Sequence, residues 1–325
     1  MSDREPASRG WVVARCAAAA LLTCCLAQAQ AAAPLLKTQA PGYYRQMVGD
    51  IEVTALSDGT AMLPVKDLLV NASPEEITHL LARAYLASPL ETSINAFLIN
   101  TGTKLVLIDT GTGGAMGPTT GKLLGNLRAA GYAPEQVDEI YITHMHGDHI
   151  GGLSSGDKPN FPNAIVRTSK AEADYWLDPA HLASAAAEAK GGFQTAQAAF
   201  APYVKAGKLK SFDADGELVP GISSVDTHGH TPGHASYLVA SKGSQLLVLG
   251  DLIHVGAVQF ARPSVAMKFD SDTTVAIAAR IKTFDAAAKG GYWVAASHLS
   301  FPAIGHIRAE KSGYTWLPAN YSLPH

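Results

Sequence analysis

The run His144-Met145-His146-Gly147-Asp148-His149 constrains this chain more than any other feature, because it places four metal-capable side chains within six residues. Three imidazoles and a carboxylate at H-x-H-x-D-H spacing suit a borderline divalent ion such as zinc, and the spacing lets the donors divide between two ions. A solvated histidine-rich loop is the bland alternative, and it predicts no matching donors elsewhere. Such donors are present. His230 lies in Gly229-His230-Thr231-Pro232-Gly233-His234, Asp251 follows Leu246-Leu247-Val248-Leu249-Gly250, and His298 follows Tyr292-Trp293-Val294-Ala295-Ala296-Ser297. Each comes shortly after an apolar run of strand character, as the cluster itself does after Glu139-Ile140-Tyr141-Ile142-Thr143. A strand fixes its backbone, so a donor at its rim is held at less entropic cost than one on a free loop. Four strand ends are therefore expected to converge on one edge.

Apolar runs of β character recur at 51–57, 95–101, 104–109, 139–143, 164–169, 222–227, 235–241, 245–249 and 292–297. Helical patterns alternate with them. Pro74-Glu75-Glu76 opens one with Ile77, Leu80, Leu81 and Tyr85 at helix spacing, Leu123, Leu124, Leu127 and Ala130 mark a second that Gly131 ends, and 275–288 forms a third before Gly290-Gly291. Residues 170–207 are alanine-rich and helical in propensity, inserted between the two groups of strands, and are a candidate pocket wall. The composition is an α/β one, and no proline- or glycine-rich linker cuts residues 34–325, which are expected to form one domain.

Residues 1–33 read as a secretory signal. Arg4, Arg9 and Arg15 precede an apolar stretch from Cys16 to Leu26, and Ala-Gln-Ala-Gln-Ala-Ala-Ala follows as a small-residue cleavage region. The apolar core is shorter than the roughly 20 residues a membrane-spanning helix needs, and no later segment has a long uncharged run. The expected location is periplasmic or secreted. All three cysteines, Cys16, Cys24 and Cys25, fall within this segment, so the remainder has no disulfide and no thiolate ligand. The formal charge of −3 comes without a concentrated basic footprint, which argues against nucleic acid as a partner.

With its complete donor set, the chain resembles the metallo-β-lactamase superfamily. That resemblance implies a four-layer αβ/βα sandwich and two divalent ions, zinc by donor type. His144, His146 and His230 would hold one ion, Asp148, His149 and His298 the other, with Asp251 bridging them. Asp109, in Leu107-Ile108-Asp109-Thr110-Gly111, matches the superfamily's early aspartate and would orient a ligand imidazole through its other ring nitrogen. The likeness narrows to the methyl parathion hydrolase group through Ala40-Pro41-Gly42-Tyr43-Tyr44-Arg45, Pro89-Leu90-Glu91-Thr92-Ser93, the segment 138–146 and the segment 300–310. It also implies a homodimer. At the positions of Leu68, His254 and Phe269, however, a dedicated phosphotriester hydrolase of that group would carry an arginine and two leucines. These departures favour a relative acting on carboxylic esters or lactones.

Two cations held about 3.5 to 4 Å apart acidify a shared water enough to supply hydroxide at neutral pH, so an ester carbonyl is attacked without a serine or cysteine nucleophile. Asp148 or Asp251 is the candidate to take up the proton. Leu68, Met116, Trp176, Phe193, His254 and Phe269 are the substrate-pocket candidates, with His254 able to donate a hydrogen bond to a substrate oxygen. A lactonase or aryl esterase acting on dihydrocoumarin-type substrates is the expected activity, with slow turnover of activated phosphotriesters. A methyl parathion hydrolase-type phosphotriesterase is the alternative. A β-lactamase fits less well, because those enzymes generally lack the bridging aspartate, and a non-catalytic metal-binding protein would require a degenerate site. His79, His181 and His325 read as surface or terminal residues, and His228, His234 and His306 as structural hydrogen-bonders.

Overall fold

In a computed structural model, residues 33, 35–213 and 215–323 are described, and all regular structure among them lies in the compact unit Pro41–His325. The export-signal expectation falls almost wholly outside the described residues. Two seven-stranded sheets carry the fold. The first consists of Tyr43–Val48, Ile51–Leu63, Leu90–Asn100, Leu105–Ile108, Glu139–Tyr141, Ile165–Ser169 and Leu209–Phe212, paired in the order in which the chain reaches them. The second repeats that simplicity with Gly216–Val219, Ile222–Asp226, Ala235–Ser241, Ser244–Val248, Trp293–Ala295, Ile304–Ala309 and Tyr314–Pro318. Every run read as a strand in the sequence is one.

The interior strands are apolar on both faces because both faces are covered. Side chains alternate across a strand. Phe97, Ile99, Val106, Ile108 and Tyr141 of the first sheet therefore pack with Tyr237, Val239, Leu246, Val248 and Val294 of the second. Their sequence neighbours Ala96, Leu98, Leu105, Leu107 and Ile140 turn the other way, onto Leu123 and Leu127 of the helix Leu123–Ala129 and Phe193, Phe200 and Tyr203 of the helix Lys190–Lys205. Phe284 and Ala287 of the helix Thr273–Gly290 cover the second sheet from outside. The result is the expected four-layer αβ/βα sandwich.

Only part of each sheet is parallel, and that part builds the site edge. Leu105–Ile108, Glu139–Tyr141 and Ile165–Ser169 run parallel in the first sheet, and Ser244–Val248 and Trp293–Ala295 in the second. Parallel strands deliver their carboxyl ends to one edge, the place where open α/β sheets bind ligands. Asp109, the His144 cluster, Asp251 and His298 all follow those ends. Backbone hydrogen bonds stitch the two sheets together there, from Ala235 N to the Thr143 carbonyl and from Asn95 N to the Ser297 carbonyl, each at 2.9 Å.

A smaller cluster sits beside this sandwich. Val65, Leu69, Ile77, Leu81, Val258 and Met267 bury one another beneath the helix Pro74–Arg83, whose first turn is capped by Ser73 accepting from Glu76 N. No helix of the described residues is long and apolar enough to cross a membrane.

Candidate metal centre

Asp251 stands at the middle of the converging donors. It lies in the short 3-10 turn Gly250–Leu252 directly beyond its strand, and its carboxylate is 2% exposed. Gly250 has φ +59°, and a Cβ there would stand 2.6 Å from His234 Nε2. Glycine is needed for that approach, which lets His234 Nε2 accept a hydrogen bond from Asp251 N at 3.0 Å. Asp251 Oδ2 lies 3.5, 3.3 and 3.1 Å from Nε2 of His144, His230 and His254, and Oδ1 lies 3.2 Å from Nε2 of both His149 and His298.

Three overlapping donor groups meet around this carboxylate, one of them being Asp251 with His254 and His298. His144, His146, His230 and Asp251 form another, with His146 Nδ1 at 3.1 Å from His144 Nε2 and 3.0 Å from His230 Nε2. Asp148, His149 and His298 form the third, with Asp148 Oδ2 at 3.6 and 3.4 Å from the two imidazoles. Asp148 and His149 come from the single-turn helix Gly147–Ile150, which His146 opens, so one tight turn divides its donors between two groups.

The ring orientations are set from behind. Asp109, held at φ +61° just beyond its strand, accepts from Thr143 N and Thr143 Oγ1, and its Oδ2 lies 2.8 Å from His149 Nδ1. A carboxylate only accepts, so His149 carries a proton on Nδ1 and turns Nε2 toward the other donors. His144 obeys the same logic one step removed. Thr143 Oγ1 spends its proton on Asp109 and accepts from His144 Nδ1 at 3.1 Å. His230 Nδ1 meets Asp270 at 2.8 Å, and His298 Nδ1 meets the Ser93 carbonyl at 3.0 Å. Four imidazoles thus aim Nε2 at the same small space.

The buried acids and imidazoles set one another's charge, with His149, His230 and His298 favoured as cations around Asp251 and His144 and His146 as neutral rings. Burial alone would raise Asp251, yet His149, His298 and His254 hold it well below the usual carboxylate range. Burial and the neighbouring His230 push His146 down to about 3, so its ring is neutral. Burial also opposes charge on His230, but hydrogen bonds to Asp251 and Asp270 outweigh it and lift that ring to about 9. His149 Nε2 and Asp251 Oδ1 are buried 3.2 Å apart with no hydrogen-bond partner. Buried polar atoms are rarely left so, and nitrogen and oxygen donors at these separations fit divalent ions of the zinc type.

A cavity of about 240 Å³ opens onto the donors, lined by Leu63, Met116, His146, Gly147, Asp148, Asp251, His254, Phe269 and His298. Of the pocket candidates, Met116, His254 and Phe269 are therefore at the cavity. Nδ1 of the buried His254 lacks a hydrogen-bond partner while Nε2 faces Asp251 Oδ2 at 3.1 Å, and the ring stacks on His298 at 5.2 Å. Leu68, Trp176 and Phe193 do not line it. Leu68 packs on the small cluster beside the sandwich, with its carbonyl accepting from Lys268 N. Trp176 and Phe193 are buried against each other at 4.8 Å, and Trp176 backs the His146 ring edge-on at 5.6 Å. The insertion accordingly forms helices Lys170–Leu177, Pro179–Ser184 and Lys190–Lys205 that support the donors from the core and contribute no residue to the cavity wall.

Several supporting residues escape sequence reading. Glu172, fully buried, accepts from Met145 N, Thr231 Oγ1 and Gly233 N, and so ties the donor loops of both sheets. Asp58 accepts from Thr112 N, Thr112 Oγ1, Gly121 N and Leu123 N, and roots the loop that carries Met116. Asp270 was hidden by its place in a polar stretch of loop. Asp58, between Ser57 and Gly59, and Glu172, two residues before Asp174, carry no sequence signal that separates them from surface acids.

An αβ/βα sandwich with a shared-carboxylate donor centre at its edge defines a class of metal-binding proteins. The model of the Metallo-beta-lactamase superfamily matches residues 90–290, and the chain belongs to that superfamily. The crystal structure of the hydrolase AbOPH in the beta lactamase superfamily is similar at 39% identity and TM-score 0.84, covering 88% of this chain and 100% of that one. AidC, a dizinc quorum-quenching lactonase solved in complex with a product, is similar at 27% identity and TM-score 0.80, covering 87% and 99%. The N-acyl homoserine lactonase of Bacillus cereus is 30% identical over 126 residues, 38% of this chain and 41% of that protein. The chain spans about half the length of the curated relatives it matches, from 41% to 61% for the first three.

Proposed function

We propose that the protein is a dinuclear metal-dependent hydrolase of lactones and aryl esters. The observation that carries this reading is the placement of Asp251 at the floor of one small cavity, with Oδ2 toward His144 and His230 and Oδ1 toward His149 and His298. His144, His146 and His230 would hold one ion, Asp148, His149 and His298 the second, and Asp251 both. Zinc suits the donors, as in the dizinc relative. Bound in pairs, such ions acidify water and polarise a carbonyl.

The chain's own residues supply the rest. Asp148, whose side chain is 22% exposed at the cavity, is placed to hold a proton during the reaction. His254 offers an unpartnered ring nitrogen to the oxygen of a substrate or leaving group. Leu63, Met116 and Phe269 give the cavity an apolar rim that suits an acyl or aryl group and displaces water from it. A small ring ester matches the space, and the names of the similar proteins make N-acyl homoserine lactones the first candidates alongside dihydrocoumarin. Export to the periplasm or medium is part of the same reading, supported by the composition of residues 1–33.

The test is a hydrolysis panel on zinc-reconstituted protein, spanning N-acyl homoserine lactones, dihydrocoumarin, aryl acetates, methyl parathion and a β-lactam. Lactones or aryl esters are expected to give the highest kcat/KM. A large preference for methyl parathion overturns the reading in favour of a phosphotriesterase.

A further inference from the structure

The acid behind His230 belongs neither to the motif nor to the strand ends. Asp270 Oδ1 lies 2.8 Å from His230 Nδ1, and both side chains are closed to solvent, at 0% and 1% exposure. Its other oxygen accepts from Met267 N at 3.0 Å. The backbone bonds Ser271 N to the His230 carbonyl and Asp272 N to the Gly229 carbonyl, each at 2.9 Å, zip the two segments together.

Behind Asp270 stands Arg280, 0% exposed on the helix Thr273–Gly290. Its guanidinium donates to the carbonyls of Leu252, Pro263 and Val265, and its remaining nitrogen lies 4.0 Å from Asp270 Oδ2. A buried arginine is costly unless its donors are satisfied and its charge is paired. Here the pairing is with the carboxylate that touches His230. The same short loop carries Phe269 at the cavity rim, one residue before Asp270.

We propose that Asp270 is a positioning residue for the ion held by His144, His146 and His230, and that Arg280 fixes it in place. Asp270 fixes a proton of His230 on Nδ1 and so turns Nε2 toward the ion site, a role parallel to that of Asp109 behind His149. Each of the two ion sites thus has its own acid, one from each sheet half of the molecule. Asp270 also joins the cavity rim to the metal centre, since Phe269 beside it lines the cavity and its own carboxylate contacts His230. This inference rests on the metal-centre reading above.

The experiment is a chelator titration that resolves the two zinc ions in the unaltered protein, Asp270→Ala, Asp270→Asn and the exposed control Asp226→Asn. Asp270→Ala is expected to weaken one ion by about 10 to 100-fold, the range for loss of such a carboxylate partner, and to leave the other in place. Asp270→Asn, which keeps one acceptor, should fall between, and Asp226→Asn should match the unaltered protein. Folded Asp270 variants that retain both ions at unchanged affinity overturn the proposal.

Should both variants fail to fold, the cobalt-loaded unaltered protein gives the answer by proton NMR. The shifted Nδ1 proton of His230 is expected to resist exchange with solvent as that of His149 does. Immediate exchange of the His230 proton, with His149 protected, overturns the proposal. Failure of the unaltered protein to bind any ion would instead overturn the metal-centre reading itself.

Discussion

The two sheets contribute to the centre in opposite styles. The first delivers four donors within six residues, from one loop and one helical turn after Glu139–Tyr141. The second delivers His230, Asp251 and His298 singly, from three places separated by tens of residues. A contiguous motif is fixed by local backbone geometry and is visible in the sequence alone. The dispersed donors gain meaning only because the strands Ser244–Val248 and Trp293–Ala295 run parallel and end together. Chemistry concentrated on one side is therefore completed by topology on the other.

The comparison breaks hardest at the residue where the halves meet. Asp251→Ala removes the shared carboxylate, and hydrolysis is expected to fall to background, with ion stoichiometry reduced and far-ultraviolet circular dichroism retained. Activity surviving in a folded Asp251→Ala protein would falsify the bridging role. Next in size is Glu172→Ala, which strips the acceptor from Met145 N, Thr231 Oγ1 and Gly233 N. Leaving three buried donors unpaired should cost about 3 kcal/mol, seen as a lowered midpoint in urea unfolding. An unchanged midpoint would mean that the two donor loops hold their places independently.

Asp109→Asn sharpens the contrast within the first sheet. It should weaken the ion at Asp148, His149 and His298 by about 10 to 100-fold and spare the other, measured by chelator competition. Equal loss at both sites would show that the Thr143 link to His144 matters as much as the direct bond to His149. The smallest effect is expected from Phe269→Ala, since the side chain is 42% exposed and its removal leaves no cavity in the core. Stability should stay within about 0.5 kcal/mol, while KM for a hydrophobic ester rises about fivefold, equivalent to losing about 1 kcal/mol of apolar contact. A change in kcat with KM unaltered would place Phe269 outside the binding step.

The legibility of the sequence followed burial. Interior strands such as Leu105–Ile108 and Ser244–Val248 stand out because burial on both sides forces apolar runs. The strands not foreseen include Tyr43–Val48, Leu209–Phe212, Gly216–Val219 and Tyr314–Pro318, the outermost members of the two sheets. One side of each is free of a partner strand, so polar residues such as Arg45, Lys210 and Glu217 are tolerated and the pattern fades. The donors were readable because imidazoles and carboxylates at strand ends have few other uses. Trp176 and Phe193, expected at the pocket wall, lie in the core, and the sequence hides this for a related reason. An aromatic residue on a helix carries no sign of which side the core lies on, and here the core claims both.

Asp58 anchors the two roots of the loop around Met116, while Gly113, Gly114, Gly117 and Gly121 between and beside them all adopt positive φ. The span is pinned at its feet and pliable along its crest. Substitutions at positions 114–117 would therefore reshape the entrance of the cavity without moving the donors beneath, so that under the proposed function the choice of substrate is separable from the metal chemistry.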